Sequence, residues 1–377
     1  SVSILFAVGT STIVAIFLGQ ENHREANRAY TQNLVVLGGI SLVIMAAVWL
    51  SLDRIAAFLG ATAATMEYVK HYILSILPFA WCFIISYSFE ILVKTDGYPR
   101  FATMAVTAGA LLNCVLDYLF VMVFKWEVAG AGAATGISQM VTVFLYLKHF
   151  LSPRATIRFE KPRWSGAQFW RVIKIGLSSG LTELSAGFTV FMFNHAILRF
   201  IGEQGIISYT IIAYVNTIVV MSMAGIAQGT QPLISFYYGK GDEASCSKLL
   251  RYSVRASVGM AAAAFLAAMA GADMLVGVFI SPSLQELRDY SAFVFRIFSI
   301  SFLFMGFNVV AGGFFTAIEK PGESLMISLG RGVVTMVSAL GACIALMGGA
   351  GIWWAPTVSE LMCLAVTGVL MYRLEKY

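Results

Sequence analysis

The sequence predicts an all-α polytopic membrane protein built as two six-helix lobes related by a parallel internal repeat, with eleven of the twelve helices present. Three observations lead there. Of 377 residues, 59% are hydrophobic and only 12% charged, whereas a soluble domain is near half apolar and a quarter charged. The excess is gathered into runs long enough to cross roughly 30 Å of hydrocarbon as helices. Landmarks in the first half also recur in the second at a nearly constant offset.

The expected spans cover residues 1–18, 31–52, 67–93, 101–124, 128–151, 169–200, 205–238, 249–272, 284–316, 324–347 and 351–372. The first begins inside an apolar run, without the basic lead and small-residue cleavage site of a signal peptide. One upstream helix is therefore expected to be missing. Pro78 and Pro232 fall inside spans and are expected to kink them.

Alternate loops differ in charge. One set carries Arg24, Arg28, Lys94, Arg100, Arg154, Arg158, Lys161, Arg163, Lys240 and Lys320. The other carries few cations, among them Arg54, Lys125, Arg199 and Arg288. An excess of Lys and Arg marks the cytoplasmic side, so the first set and the C-terminal residues 373–377 are expected inside a bacterial plasma membrane. The basic stretch 152–168, with Pro153 and Pro162, divides an N-terminal lobe (1–151) from a C-terminal lobe (169–377).

The halves repeat. Gly9-Thr and Gly19-Gln-Glu-Asn match Gly229-Thr and Gly239-Lys-Gly-Asp at an offset of 220. Pro99 matches Pro321 at 222, and Gly130 with Ser138-Gln matches Gly351 with Ser359-Glu at 221. Two six-helix halves enter the membrane in the same direction, which is a transporter arrangement.

The chemistry concentrates at 102–141. Asn113 and Asp117 are four residues apart and share a helix face. A carboxylate amid apolar residues costs about 2.5–3.5 kcal/mol to insert, against roughly 0.6–2 kcal/mol returned by polar contacts between helices. Gly130, Gly132, Ala133 and Gly136 let the next helix approach, bringing the Thr135 hydroxyl within reach. The trio reads as a site for a proton or Na⁺ between two packed helices. No P-loop, nucleophile elbow or metal-ligand spacing is present, and the five cysteines are scattered. The chain reads as a non-enzyme without a cofactor, and its net charge of +5 reflects loop cations rather than nucleic-acid binding.

Four stretches carry a resemblance to the MATE (multidrug and toxic compound extrusion) family, in its DinF/MepA-like branch. They are Leu18-Gly-Gln-Glu-Asn-His-Arg-Glu-Ala-Asn, Asn113-Cys-Val-Leu-Asp117 with Val128-Ala-Gly-Ala-Gly-Ala-Ala-Thr, Gly225-Ile-Ala-Gln-Gly-Thr-Gln-Pro-Leu-Ile-Ser, and Ala317-Ile-Glu-Lys-Pro-Gly. The resemblance spans essentially the whole chain. It implies twelve helices, alternating access, and export of drugs driven by proton or sodium entry. DinF-type members hold their cation with an Asn and an Asp on the fifth helix, a Thr on the sixth and an Asp on the first. Asn113, Asp117 and Thr135 match the first three; the fourth would lie on the missing helix.

The expected function is thus a secondary exporter of cationic or amphipathic small molecules by H⁺ or Na⁺ antiport, acting as a monomer in the lipid bilayer. Asp117 is the expected coupling acid. Glu183 is a second candidate for protonation, facing the interlobe cavity, although the NorM branch places its acid where this chain has Ala186. Glu90, Asn194, Tyr209 and Gln228 are expected to line the substrate cavity, and Glu90 also to pair with Lys94 four residues on. Arg296 and Arg331 need partners, with Glu360 as a candidate. The alternatives are a flippase or exporter of a lipid-linked saccharide or metabolite, whose pyrophosphate would need more cavity cations, and a non-transporting sensor, which leaves the repeat unexplained.

Overall fold

The computed structural model describes residues 1–58, 60–62, 65–161 and 163–375. Pro162 of the interlobe stretch and residues 376–377 of the expected inner tail lie outside them. The chain divides into two compact units, Val2–Gly176 and Leu177–Tyr377, with Ser1 grouped with the second.

In the N-terminal unit, α1 (Val2–Gly19) is apolar on nearly every face and buried from Phe6 to Ile16, as a helix surrounded by its own protein should be. It packs on α2 (His23–Leu50) and α5 (Ala80–Thr95). The short α3 (Leu52–Phe58) leads to α4 (Met66–Ile76). At Pro78 a single 3-10 turn, Leu77–Phe79, separates α4 from α5. Then α6 (Pro99–Asp117) runs into a π-helical turn, Tyr118–Val123, and α7 (Glu127–Phe150) returns against it.

The long α8 (Gly166–Phe200) follows. Its first turns belong to the N-terminal unit, because Gly9 and Gly176 sit too close to the facing backbone to admit a side chain. Phe169 packs on Phe6 at 6.0 Å, and the Arg171 guanidinium lies 5.5 Å from the Phe17 ring. The units therefore divide inside α8 rather than along the 152–168 stretch expected from its charge and prolines.

The C-terminal unit holds α9 (Glu203–Gly239), α10 (Glu243–Phe279), α11 (Gln285–Ser299) and α12 (Phe302–Ala317), the last two meeting at a 41° bend. They are followed by α13 (Pro321–Leu329), a π-helical turn at Gly330–Val334, α14 (Thr335–Met347) and α15 (Gly351–Glu375). The expected kink at Pro232 does not break α9, which is one helix from end to end.

Among the described residues, eight helices are long and apolar enough to cross a membrane, or nine with the bent pair. One of these, Pro321–Leu374, has 54 residues and would measure about 80 Å if straight. It is two crossings, broken at Gly348 with its φ of 60°. Helix α8 is not among those eight, although its 35 residues are more than long enough to cross. Counting both gives the expected eleven.

The repeat is visible in backbone detail. After Gly19 and after Gly239 the chain turns through a left-handed residue, Glu21 (φ 59°) and Gly241 (φ 74°). An Asx N-cap then starts the next helix: Asn22 accepts from the Glu25 amide at 3.3 Å, and Asp242 from the Ser245 amide at 2.9 Å. A side-chain cap of this kind satisfies one of the orphan amides of a helix start.

Candidate cation site

Three helices of the N-terminal unit, α5, α6 and α7, enclose a cavity of about 380 Å³. Small residues set its width. Gly109 of α6 lies against the Thr142 hydroxyl, and on α7 Gly132 meets Ser75 and Gly136 the Phe79 ring, with no room for a Cβ at any of the three. Polar groups nevertheless reach the wall: Ser86 and Glu90 from α5, Asn113 from α6, and Thr135, Ser138 and Gln139 from α7.

Asn113 and Thr135 come together as expected. The Asn113 amide donates to Thr135 Oγ1 at 3.4 Å, and the Thr135 hydroxyl donates to the Ala131 carbonyl at 2.9 Å. Asp117 is the last residue before the π-helical turn, one turn beyond Asn113. It is not on the cavity wall, and no hydrogen bond joins it to Asn113 or Thr135 among the described residues. Its Oδ1 is buried without a hydrogen-bond partner. The donor chemistry fits a small hard cation or a proton: one carboxylate, one amide oxygen and one hydroxyl.

Glu90 lines the same cavity while its Oε1 takes the Lys94 ammonium at 2.5 Å. The other expected cavity residues belong to the C-terminal unit. Tyr209 is a core residue, 6% exposed and stacked on Phe193 at 5.3 Å. It lies in the apolar core of that unit with Ile212 and is not on the wall of this cavity. Asn194 and Gln228 are half-buried and lie off this cavity. Glu183 is exposed beside Ala186 and Gly187 and has no ion pair, with Lys174 or otherwise, among the described residues.

One arrangement escaped the sequence reading, and a second was anticipated only in part. The first is Asp96 at the end of α5, whose side chain is fully buried. It takes His149 Nε2 at 2.8 Å and the amides of Thr156 and Ile157, each at 3.0 Å. Burial pushes its carboxyl above the ordinary aspartate range, while His149 and the two amides pull it back. Arg158 and Glu160 are fastened likewise, their amides donating to Asn27 Oδ1 at 2.8 Å and Thr31 Oγ1 at 3.1 Å. An aspartate before Gly97 reads as an ordinary helix end, and its partner His149 stands 53 residues away.

The second lies in the C-terminal unit. Arg331, in the π-helical turn, meets Glu360 Oε1 through Nε at 2.6 Å. Asn308 Nδ2 donates to Glu360 Oε2 at 2.8 Å, and the Thr367 hydroxyl donates to Asn308 Oδ1 at 3.0 Å. Arg331 thus takes the partner anticipated for it. Arg296 does not: it pairs with the more exposed Asp273 at 2.6 Å, which lies across from it on α10.

A helical membrane protein with a repeated unit and an acid–amide–hydroxyl group inside one of them belongs among membrane carriers. The MatE family model matches residues 1–119 and 179–340, and the chain belongs to that family. It is 24% identical over 379 residues to the multidrug export protein MepA of Staphylococcus aureus (strain bovine RF122 / ET3-1), covering 98% of this chain and 82% of the relative. To the MepA of Staphylococcus saprophyticus it is 22% identical over 375 residues, with the same coverage. Among solved structures, a MATE in complex with MaL6 superposes with a TM-score of 0.92 at 20% identity, over 100% of this chain and 86% of that one. A MOP superfamily transporter from Pyrococcus furiosus superposes at 0.90 and 19% identity, over 98% and 83%.

Proposed function

We propose that the chain is a secondary active multidrug exporter, a transporter rather than an enzyme. It extrudes cationic or amphipathic small molecules by H⁺ or Na⁺ antiport through alternating access of its two lobes. The reading is supported by the MatE membership and by relatives named as multidrug export proteins. One observation carries the coupling step: Asp117, one turn beyond Asn113 on α6, has a buried carboxylate oxygen without a hydrogen-bond partner among the described residues.

An ionised carboxylate left so in an apolar surrounding is strongly disfavoured, whereas a protonated or cation-bound one is not. Asp117 is read as the group that carries the coupling ion, a cation or a proton. Asn113 and Thr135 supply neutral oxygens to the first. Inward movement of the ion is worth about 2.3 kcal/mol per charge per 100 mV, before its concentration gradient is added. No other ion or cofactor enters this scheme. The chain works as a monomer with the 152–168 stretch and the C-terminus in the cytoplasm.

The test is dye efflux from proteoliposomes under a pH gradient and, separately, a sodium gradient. Wild-type chain is expected to respond to at least one. Asp117→Asn keeps volume but cannot titrate, and is expected to bind dye yet lose gradient-driven efflux. Coupled efflux at the wild-type rate by Asp117→Asn removes Asp117 from the mechanism.

A further inference from the structure

The two units can be superimposed residue by residue in sequence, and the correspondence leads to a site in the C-terminal unit. At an offset of 222, Ser86 corresponds to Asn308 and Gly109 to Arg331; at 221, Gln139 corresponds to Glu360. Ser86, Gly109 and Gln139 all line the N-terminal cavity. Their counterparts are the members of the buried Arg331–Glu360–Asn308 network.

That network has the make-up of a cation site. Glu360 is 3% exposed, a carboxylate deep in an apolar unit. Asn308 is completely buried, its amide fixed between the Glu360 side chain, the Glu360 carbonyl at 3.0 Å and the Thr367 hydroxyl. Carboxylate, amide and hydroxyl are also the groups of Asp117, Asn113 and Thr135, although among the described residues no hydrogen bond joins that acid to the other two. The difference is that Glu360 already holds a cation, the guanidinium of Arg331, whose side chain is 18% exposed.

Geometry explains how a side chain of that size fits. Gly330–Val334 is a π-helical turn, and the extra residue of such a turn re-aims the side chains around it. The Thr335 hydroxyl spans it, donating to the Gly330 carbonyl at 2.9 Å and meeting Ser359 Oγ at 2.8 Å. The backbone is thus held where Arg331 reaches Glu360. In the N-terminal unit the matching position is Gly109, which lines the cavity and has no side chain to enter it.

We propose that Glu360, Asn308 and Thr367 form a second cation site, permanently occupied by the chain's own Arg331 guanidinium. The C-terminal unit carries a tethered cation where the N-terminal unit keeps space for a free one. Emptied of Arg331, the site would accept a small guanidinium or alkylammonium ion. This stands apart from the assignment of Asp117, since it concerns other residues and is read by stability rather than transport.

The experiment is thermal unfolding of the full chain in detergent, with and without low-millimolar propylguanidinium. Breaking a buried pair by removing one partner is strongly destabilising, so Arg331→Ala should melt about 5 °C or more below wild type. Propylguanidinium should restore at least half of that loss. The double variant Arg331→Ala/Glu360→Gln, with neither charge, should melt above Arg331→Ala and ignore the ligand. If Arg331→Ala cannot be purified folded, Arg331→Lys and Arg331→Gln decide: the lysine should stay close to wild type and the glutamine should not. Equal responses of single and double variants, a wild-type melting point for Arg331→Ala, or a lysine no better than glutamine would each overturn the proposal.

Discussion

The N-terminal and C-terminal units each carry a carboxylate, an amide and a hydroxyl, at positions the repeat does not match, and they use them oppositely. In the first, among the described residues, Asp117 has a buried oxygen without a hydrogen-bond partner and Asn113 reaches Thr135. In the second, both oxygens of Glu360 are engaged, one by Arg331 and one by Asn308. Coulombic attraction strengthens as the local dielectric falls, so a buried pair such as Arg331–Glu360 has no reason to release its charge. In the proposed mechanism the acid without such a partner is the one that exchanges ions. The comparison teaches that duplication of a fold need not duplicate its chemistry. Three matched positions, Ser86 and Asn308, Gly109 and Arg331, Gln139 and Glu360, separate a cavity wall from a closed ion pair.

The largest expected effect tests the open side of the comparison. Asp117→Asn should lower gradient-driven efflux by roughly a hundredfold or more, since a lost titratable group stops coupling rather than weakening it. Asn113→Ala should reduce it about tenfold, the order expected from losing one hydrogen bond to a charged group. Initial rates at matched dye occupancy separate the two.

Next comes the glycine. A Cβ at position 109 would fall on the Thr142 hydroxyl. Gly109→Ala should therefore push α6 from α7 or turn Thr142 aside, at about 1–3 kcal/mol of overpacking. The expected readout is five- to tenfold weaker dye binding by equilibrium titration. The equivalent change in the other unit, Arg331→Gly, should spare dye binding and lower the melting temperature. If both changes hit the same property, the units do not divide the work in this way.

Much of the fold was legible because membrane helices announce themselves by length and apolar content. All eleven crossings were placed to within a few residues at most ends, and the repeat was readable from Gly19, Pro99 and Gly130. What stayed hidden was any feature made by distant partners. Asp96 and His149 meet across 53 residues, and Asp96 alone looks like a turn residue. Tyr209 looked like cavity chemistry because a phenol is polar at its tip, yet packing against Phe193 decides its place. The π-helical turns after Asp117 and around Arg331 leave no composition signal at all.

Asp96 gives the following prediction, in stability rather than transport. Asp96→Ala strands the amides of Thr156 and Ile157, at about 1–3 kcal/mol for each buried group left unsatisfied. Asp96→Asn keeps an acceptor and should be milder. The sign with pH follows from the raised carboxyl. A group whose folded-state value is raised stabilises fully below the unfolded range, near pH 4, and loses that contribution as pH rises through the raised value. The melting temperature of Asp96→Asn should therefore gain on wild type between about pH 4 and neutrality. A gap that widens over that interval contradicts the assignment.

The smallest effect is expected at Glu183, and it decides whether coupling is confined to one unit. Its side chain is exposed and has no partner ion among the described residues. An exposed carboxylate keeps its hydration, and a charge 4 Å from it gains only about 1 kcal/mol in water. Salt weakens that further. Glu183→Gln should thus shift the apparent affinity for a cationic dye by no more than about fivefold, leave a neutral substrate unchanged, and keep the response to both ion gradients. The measurement is efflux of one cationic and one neutral substrate by the same vesicles at two ionic strengths. A fivefold effect that fades with salt fits a screened surface charge. Loss of the gradient response with both substrates would instead place a coupling acid in the C-terminal unit, and the contrast between the two units would have to be drawn around Glu183 rather than Arg331.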